Sequence, residues 1–300
     1  MRTRDMKPAH YPTMRGRPAG LALALLLLGV LGALSALPGC SRTQGEQATQ
    51  ITAAGSTSVT PFAEQLAEEF MHKHPGSHVN IQGIGSSAGI QATETGAADV
   101  GMSSRELKED EIAKLVPVTI ALDALAIIVH PSNPVEDVTL DQVRRIFAGE
   151  IRDWSEVGGK AAPMTLVNRE AGSGTRGAFE ELVMGKHGPP VSPNSIRQGS
   201  NGAVRAVVEG DPNAIGYISL GIVSPQVRAL RIDGVAPTPE RVEAGRYRLV
   251  RPFLFVVARG TDPAQLTRDY LDYILSDEGQ HSLAHAGLIP APNRETPWKD

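Results

Sequence analysis

Three stretches of this 300-residue chain place glycine, serine and threonine between an apolar run and an amphipathic one. They are Gly55-Ser56-Thr57-Ser58, Gly83-Ile84-Gly85-Ser86-Ser87-Ala88-Gly89 and Arg169-Glu170-Ala171-Gly172-Ser173-Gly174-Thr175. Hydroxyls and glycine-exposed N–H groups at a helix start, where the macrodipole favours negative charge, are the parts of an oxyanion site. Ordinary N-capping uses the same residue types, and for a single loop it is the simpler reading. Three such loops, one carrying an arginine, point to an anion. The Arg169 guanidinium offers a planar fork that matches two oxygens of a tetrahedral anion and keeps its charge when buried. Ser103-Ser104-Arg105 can add two hydroxyls and a second cation, whereas Gly199-Ser200-Asn201-Gly202 reads as simple capping.

Other chemistry can be spelled from the same residues. Gly85-Ser86-Ser87-Ala88-Gly89 fits the G-x-S-x-G elbow, which would make Ser87 the nucleophile of an esterase, with His281 or His285 as its base. That reading leaves the other loops without a role, so no enzymatic activity is expected. His281 and His285 stand one helical turn apart, a spacing that can hold zinc, but no glutamate follows His281, and two exposed helix histidines are the expectation. His72 and His74 sit near a helix end and read as partners of its dipole. No metal or cofactor is expected.

The elements that would position the loops alternate. Ile51 to Ala54 reads as a strand, and Pro61 to Lys73 as a helix closed by Pro75-Gly76. Val79 to Ile81, Ala98 to Met102, Leu122 to Val129, Met164 to Asn168, Ala214 to Ser219 and Leu249 to Ala258 read as further strands. Helices are expected over Ala88 to Thr95, from the capping box Thr139-Leu-Asp-Gln142, over Thr175 to Met184, over Gly202 to Glu209, and in two pieces between Leu266 and Ala286. Strands alternating with short helices imply an α/β fold with parallel sheets covered on both faces, which bind ligands at the carboxyl ends of their strands.

The first 40 residues stand apart. Arg2, Arg4, Lys7, Arg15 and Arg17 precede an apolar run from Leu21 to Leu37 that ends at Leu37-Pro38-Gly39-Cys40, the pattern of a secretory signal over residues 1–39, with an uncleaved anchor as the alternative. Met14 is a second candidate start. Cys40, the only cysteine of the chain, excludes an intrachain disulfide and follows a Leu-x-Gly that resembles the bacterial lipobox. It is expected to be the lipidated first residue of an exported protein held to the cell or outer membrane by its lipid alone, with residues 40–50 as a polar tether. The first 40 residues hold five of the 29 basic and one of the 33 acidic residues, so the remainder carries a net charge of −8. Nucleic acid is therefore not an expected partner, and an anion site here must work by local dipoles and a few placed cations.

Val79-Asn80-Ile81-Gln82-Gly83-Ile84-Gly85-Ser86-Ser87-Ala88-Gly89, Arg169-x-x-Gly172-Ser173-Gly174-Thr175 and Ile146-Phe147-x-Gly149-x-Ile151-x-x-Trp154 together resemble the phosphate-binding proteins of bacterial phosphate ABC importers, from about Ile51 to Pro290. The resemblance implies a two-lobed periplasmic-binding-protein fold that closes on its ligand like a hinge, with lobe I over 51–126 and 252–300 and lobe II over 127–251. It implies a monomer that captures inorganic phosphate and docks on importer permease subunits. Capture of sulfate or arsenate, or a sensing role, are the alternatives on the same fold. Carried over, it sets phosphate against Thr57 and Ser58, Ser86, and Arg169, Ser173, Gly174 and Thr175, with Ser56, Ser87, Ser104 and Arg105 as outer candidates. Many relatives have an aspartate where this chain has Ser104. That carboxylate accepts the phosphate proton and repels sulfate, so weaker rejection of sulfate is expected here.

Overall fold

The structure is a computed structural model and describes residues 49–298. The expected signal, Cys40 and most of the tether lie outside the described residues. Among the described residues, no helix is long and apolar enough to cross a membrane.

Strands β1 (Gln50–Gly55), β2 (His78–Gly83) and β3 (Val100–Ser103) alternate with helices α1 (Thr60–Lys73) and α2 (Ser86–Glu94). A short helix, α3 (Glu109–Ile112), leads into the long strand β4 (Leu115–Val129). There follow β5 (Asp137–Val138), α4 (Leu140–Ala148), β6 (Thr165–Arg169), α5 (Gly174–Phe179), β7 (Ile196–Gln198), α6 (Asn201–Gly210) and β8 (Ala214–Ser219). The chain ends with β9 (Arg228–Ala229), β10 (Arg231–Ile232), α7 (Pro239–Glu243), β11 (Val250–Ala258), α8 (Gln265–Leu275), α9 (Asp277–His285) and β12 (Ile289–Pro290).

Local sequence accounts for the helices that matter. Pro61 starts α1, whose Phe62, Leu66 and Phe70 repeat at four-residue spacing and are all buried. At α4, Thr139 Oγ1 accepts from Gln142 N at 3.1 Å while Gln142 Oε1 accepts from Thr139 N at 2.8 Å. Gly149, in the left-handed region at φ 79°, ends that helix. Gly89 lets α2 lie on β1, because a Cβ there would run into the Ala54 carbonyl.

The main sheet runs β2-β1-β3-β11-β4-β8-β6-β7. β1 is parallel to β2 and β3, and β6 is parallel to β7 and β8. Two antiparallel strands, β4 and β11, join the parallel blocks. Each block has its own core. Ile51, Phe62, Leu66, Phe70, Met102, Phe255, Tyr270 and Ile274 pack in one, and Phe147, Trp154, Phe179, Ile215, Tyr217 and Leu249 in the other. β4 passes from the first, with Ile120 and Ala121, to the second, with Ala124, Leu125 and Ile127. The change of core falls at Asp123, whose register partner on β11 is Arg251.

Some elements differ from their sequence reading. β4 begins at Leu115 rather than Leu122, because the exposed Pro117 looks like a strand break but pairs with Val256 at a position where its ring faces outward. The expected helix from Thr175 to Met184 is α-helical only to Phe179 and widens to a π-turn over Glu180–Met184, which buries the adjacent Val183 and Met184 together. α3, α7 and the two- and three-residue strands have too few residues for a periodic signal.

Candidate anion-binding site

The loops at the carboxyl ends of β1, β2, β3 and β6 converge. Ser58 Oγ lies 2.7 Å from Thr175 Oγ1, Arg169 Nη2 donates to Thr57 Oγ1 at 3.2 Å, and Ser87 N donates to Gly172 O at 3.1 Å. Ser56 Oγ donates to Ser104 Oγ at 2.8 Å, and Ser86 Oγ accepts from Ser104 N at 3.3 Å. Ser56, Ser58, Ser86, Ser104, Arg169, Ser173 and Thr175 are buried, and Thr57 and Ser87 are partly so. Gly174 is the point of closest approach, where a Cβ would stand 2.7 Å from Ser104 Oγ and closer still to Ser86 Oγ.

Arg169 is held from several sides. Its Nε donates to Glu170 Oε2 at 3.0 Å and to Gln198 O at 3.1 Å; Nη2 also donates to Glu170 Oε1 at 2.9 Å and to Gly199 O at 3.3 Å. Its backbone is fixed as well, since Arg169 N donates to Asn168 Oδ1 at 2.8 Å and Arg176 Nη1 donates to Arg169 O at 3.2 Å. Burial pushes the Tyr217 phenol well up, so it stays protonated and donates to Asn168 Oδ1. The Arg169 side chain is only 1% exposed, yet among the described residues its Nη1 has no hydrogen-bond partner. A buried charged donor left without an acceptor is destabilising by about 1–3 kcal/mol or more, which an anion oxygen at that nitrogen removes.

The hydroxyls are oriented as donors. Thr57 Oγ1 accepts from both Arg169 Nη2 and Asn201 Nδ2, the latter at 3.3 Å, so its lone pairs are taken and its proton is free to be given. Ser173 caps α5 by accepting from Arg176 N at 3.2 Å and likewise keeps its proton. Asn201 is itself oriented through Oδ1, which accepts from Ser219 N at 3.3 Å.

Three buried guanidiniums surround these loops, and each has its own carboxylate: Arg169 with Glu170, Arg105 with Glu111 and Arg251 with Asp123. The neighbourhood is therefore rich in donors without a large net charge, as the acidic composition requires. Arg105, an outer candidate for anion contact, is directed elsewhere. Its Nη1 and Nη2 each meet a Glu111 oxygen at 2.8 Å, and Nη2 reaches Ser87 Oγ at 3.4 Å. Burial raises the Glu111 carboxyl, but hydrogen bonds from Arg105 and the Lys108 N–H outweigh it and hold the group below its ordinary 4.5. Its stabilising share is thus present above the unfolded value and lost as pH falls through the lowered folded one. In denaturant titrations the stability advantage of the wild type over Glu111→Gln should shrink below about pH 4.5; a gap that stays constant through acid would contradict this.

Not every sequence candidate meets the site. Ser87 Oγ is bonded to Arg105, not to a histidine, and His281 and His285 are exposed on α9. Among the described residues, no group of three or more His, Cys, Asp or Glu is gathered as a metal ion would need. Conversely, three polar residues not expected from the sequence stand beside the loops. The Gly199–Gly202 loop does cap α6, with Ser200 Oγ accepting from Ala203 N at 3.1 Å, but its Asn201 also reaches across to Thr57 and Ser58. Asp123 and Arg251 lie fully buried behind Ser58. Their signal was a lone acid and a lone base inside two apolar runs.

A family model for the PBP superfamily domain matches residues 41–278. The phosphate-binding protein PstS of Bacillus subtilis is 33% identical over 245 residues, covering 80% of each chain. PstS of Pseudomonas aeruginosa is 30% identical over 288 residues, covering 86% of this chain and 87% of that one. Among solved structures, a candidate phosphate ABC transporter substrate-binding protein from Clostridium perfringens with bound phosphate is 42% identical, with a TM-score of 0.77 over 81% of this chain and 99% of that one. An ABC-type phosphate transport receptor from Vibrio cholerae is 35% identical, with a TM-score of 0.68 over 80% and 100% of the two chains.

Proposed function

Because the chain belongs to the PBP superfamily and, within it, to the PstS phosphate-binding proteins, we propose that it captures inorganic phosphate at the Arg169 site and presents it to an ABC importer. The observation that carries the reading is Arg169 Nη1, a buried cationic donor with no acceptor among the described residues, set beside Thr57, whose two lone pairs are already taken, and Ser173, whose hydroxyl accepts from Arg176 N. In this assignment Arg169, Thr57, Ser173 and Thr175 give side-chain hydrogen bonds, Gly174 gives its backbone N–H, and Ser58, whose N–H donates to Ser56 Oγ at 3.2 Å, lines the wall with Ser86 and Ser104. Gly174 serves by having no side chain. Ser56, Ser87 and Arg105 support the loops from outside.

The two parallel blocks act as the lobes, with β4 and β11 as the crossing strands, and the protein works as a monomer that docks on permease subunits. The Leu37-Pro38-Gly39-Cys40 motif supports export and lipid anchoring on the outer face of a membrane. The protein acts by binding and carries out no reaction of its own.

Glu170, Glu111 and Asp123 are each occupied by a guanidinium, and Ser104 brings only a neutral hydroxyl to the loops. A protonated phosphate oxygen therefore finds only neutral acceptors, and sulfate meets no free carboxylate. Calorimetric titration with phosphate and then sulfate should give saturable phosphate binding, with sulfate weaker but measurable. Tight sulfate binding without phosphate binding would overturn the assignment.

A further inference from the structure

The buried ion pair between the crossing strands is not needed to hold them together, since β4 and β11 are already paired from Leu115 to Ala124. Asp123 and Arg251 are 0% and 1% exposed, and an ion pair at such depth is seldom more stabilising than apolar residues of the same volume. Its contacts suggest what it does instead. Asp123 Oδ2 accepts from Arg251 Nε at 3.0 Å and lies 2.9 Å from Nη2, while Oδ1 accepts from Ser219 Oγ at 2.8 Å. So fixed, Arg251 donates from Nη1 to Ser104 O and from Nη2 to Ser58 Oγ, both at 3.3 Å. Ser58 Oγ also accepts from Asn201 Nδ2 at 2.8 Å.

A serine hydroxyl has two acceptor positions and one proton. With Arg251 and Asn201 filling both positions, the Ser58 proton has one place left, Thr175 Oγ1 at 2.7 Å. Thr175 Oγ1 then accepts from Ser58, and its own proton is turned outward. We infer that the Asp123–Arg251 pair is a positioning device for anion capture: through Ser58 it sets the direction of the Thr175 O–H, so that the loop offers the anion a donor rather than a lone pair. The chain of hydrogen bonds begins at a cation and ends at the anion, so each bond polarises the next. The inference rests on the phosphate assignment above.

Arg251→Met alone leaves Asp123 buried without a partner, so the test uses Asp123→Asn with Arg251→Met together, alone and combined with Ser58→Ala. Ser58→Ala keeps the backbone N–H and removes only the hydroxyl. Phosphate affinity is measured by calorimetry and thermal midpoint by scanning. The paired variant and Ser58→Ala should each weaken phosphate binding about tenfold, and Ser58→Ala should add less than about twofold once the pair is gone. Additive losses, or unchanged affinity in the paired variant, would overturn the inference; the same midpoint shift with no change in affinity would mark the pair as merely structural. Should the paired variant not fold, Arg251→Lys takes its place in the cycle, because it keeps the charge but gives up the fork to Ser58 and Ser104, and the same outcomes decide. Failure of the wild type to bind phosphate would instead reject the assignment on which the inference rests.

Discussion

Arg169→Ala is expected to weaken phosphate binding by at least about tenfold, since a charged hydrogen bond contributes about 1.5–3 kcal/mol and 1.4 kcal/mol is a factor of ten. Two further effects act in the same direction. Thr57 Oγ1 loses one of the two donors that turn its proton outward, and Glu170 loses the guanidinium that neutralises it beside the anion loops. Arg169→Lys keeps the charge but cannot reach Glu170, Gln198 O, Gly199 O and the anion at once, so it should fall between alanine and wild type. Equilibrium binding of labelled phosphate to the three proteins gives the order. An alanine variant within twofold of wild type would remove Arg169 from the site.

Gly174→Ala is expected to be comparably damaging for a different reason. No charge or hydrogen bond is lost, but the new methyl would overlap Ser86 Oγ and stand 2.7 Å from Ser104 Oγ. The methyl would sit on the β6 loop of one parallel block and both hydroxyls on loops of the other, so the overlap holds the blocks apart just where they must meet around the anion. The folded state can relieve it by opening, which leaves each core intact. The variant should therefore keep its thermal midpoint without phosphate while losing the rise that phosphate gives the wild type by mass action. A full phosphate-induced rise in Gly174→Ala would show that the loops do not close on the ligand at this point.

The loops that converge were legible in the sequence because each is contiguous. A strand end, a few small hydroxyl residues and a helix start within seven positions are a local pattern, and α4 announced itself in the same way through Thr139 and Gln142. Asn201, Asp123 and Arg251 were not legible as site residues, because their roles come from pairing. Arg251 meets Asp123 only through the antiparallel register of β11 on β4, 128 residues apart in the chain. Arg105 shows the converse limit. Its charge was legible, but its occupation by Glu111, six residues on, depends on the turn that brings α3 back to it. Arg169 is paired with a carboxylate too, but Glu170 takes only Nε and Nη2 and leaves Nη1 unpartnered, whereas Glu111 takes both terminal nitrogens of Arg105.

The most direct test of the account is a crystal structure of the mature protein grown with phosphate. One tetrahedral anion is expected, enclosed by the four loops, with oxygens at about 2.7–3.1 Å from Arg169 Nη1 and from Thr175 Oγ1. Phosphate bound elsewhere, with Arg169 Nη1 turned to another acceptor, would contradict it.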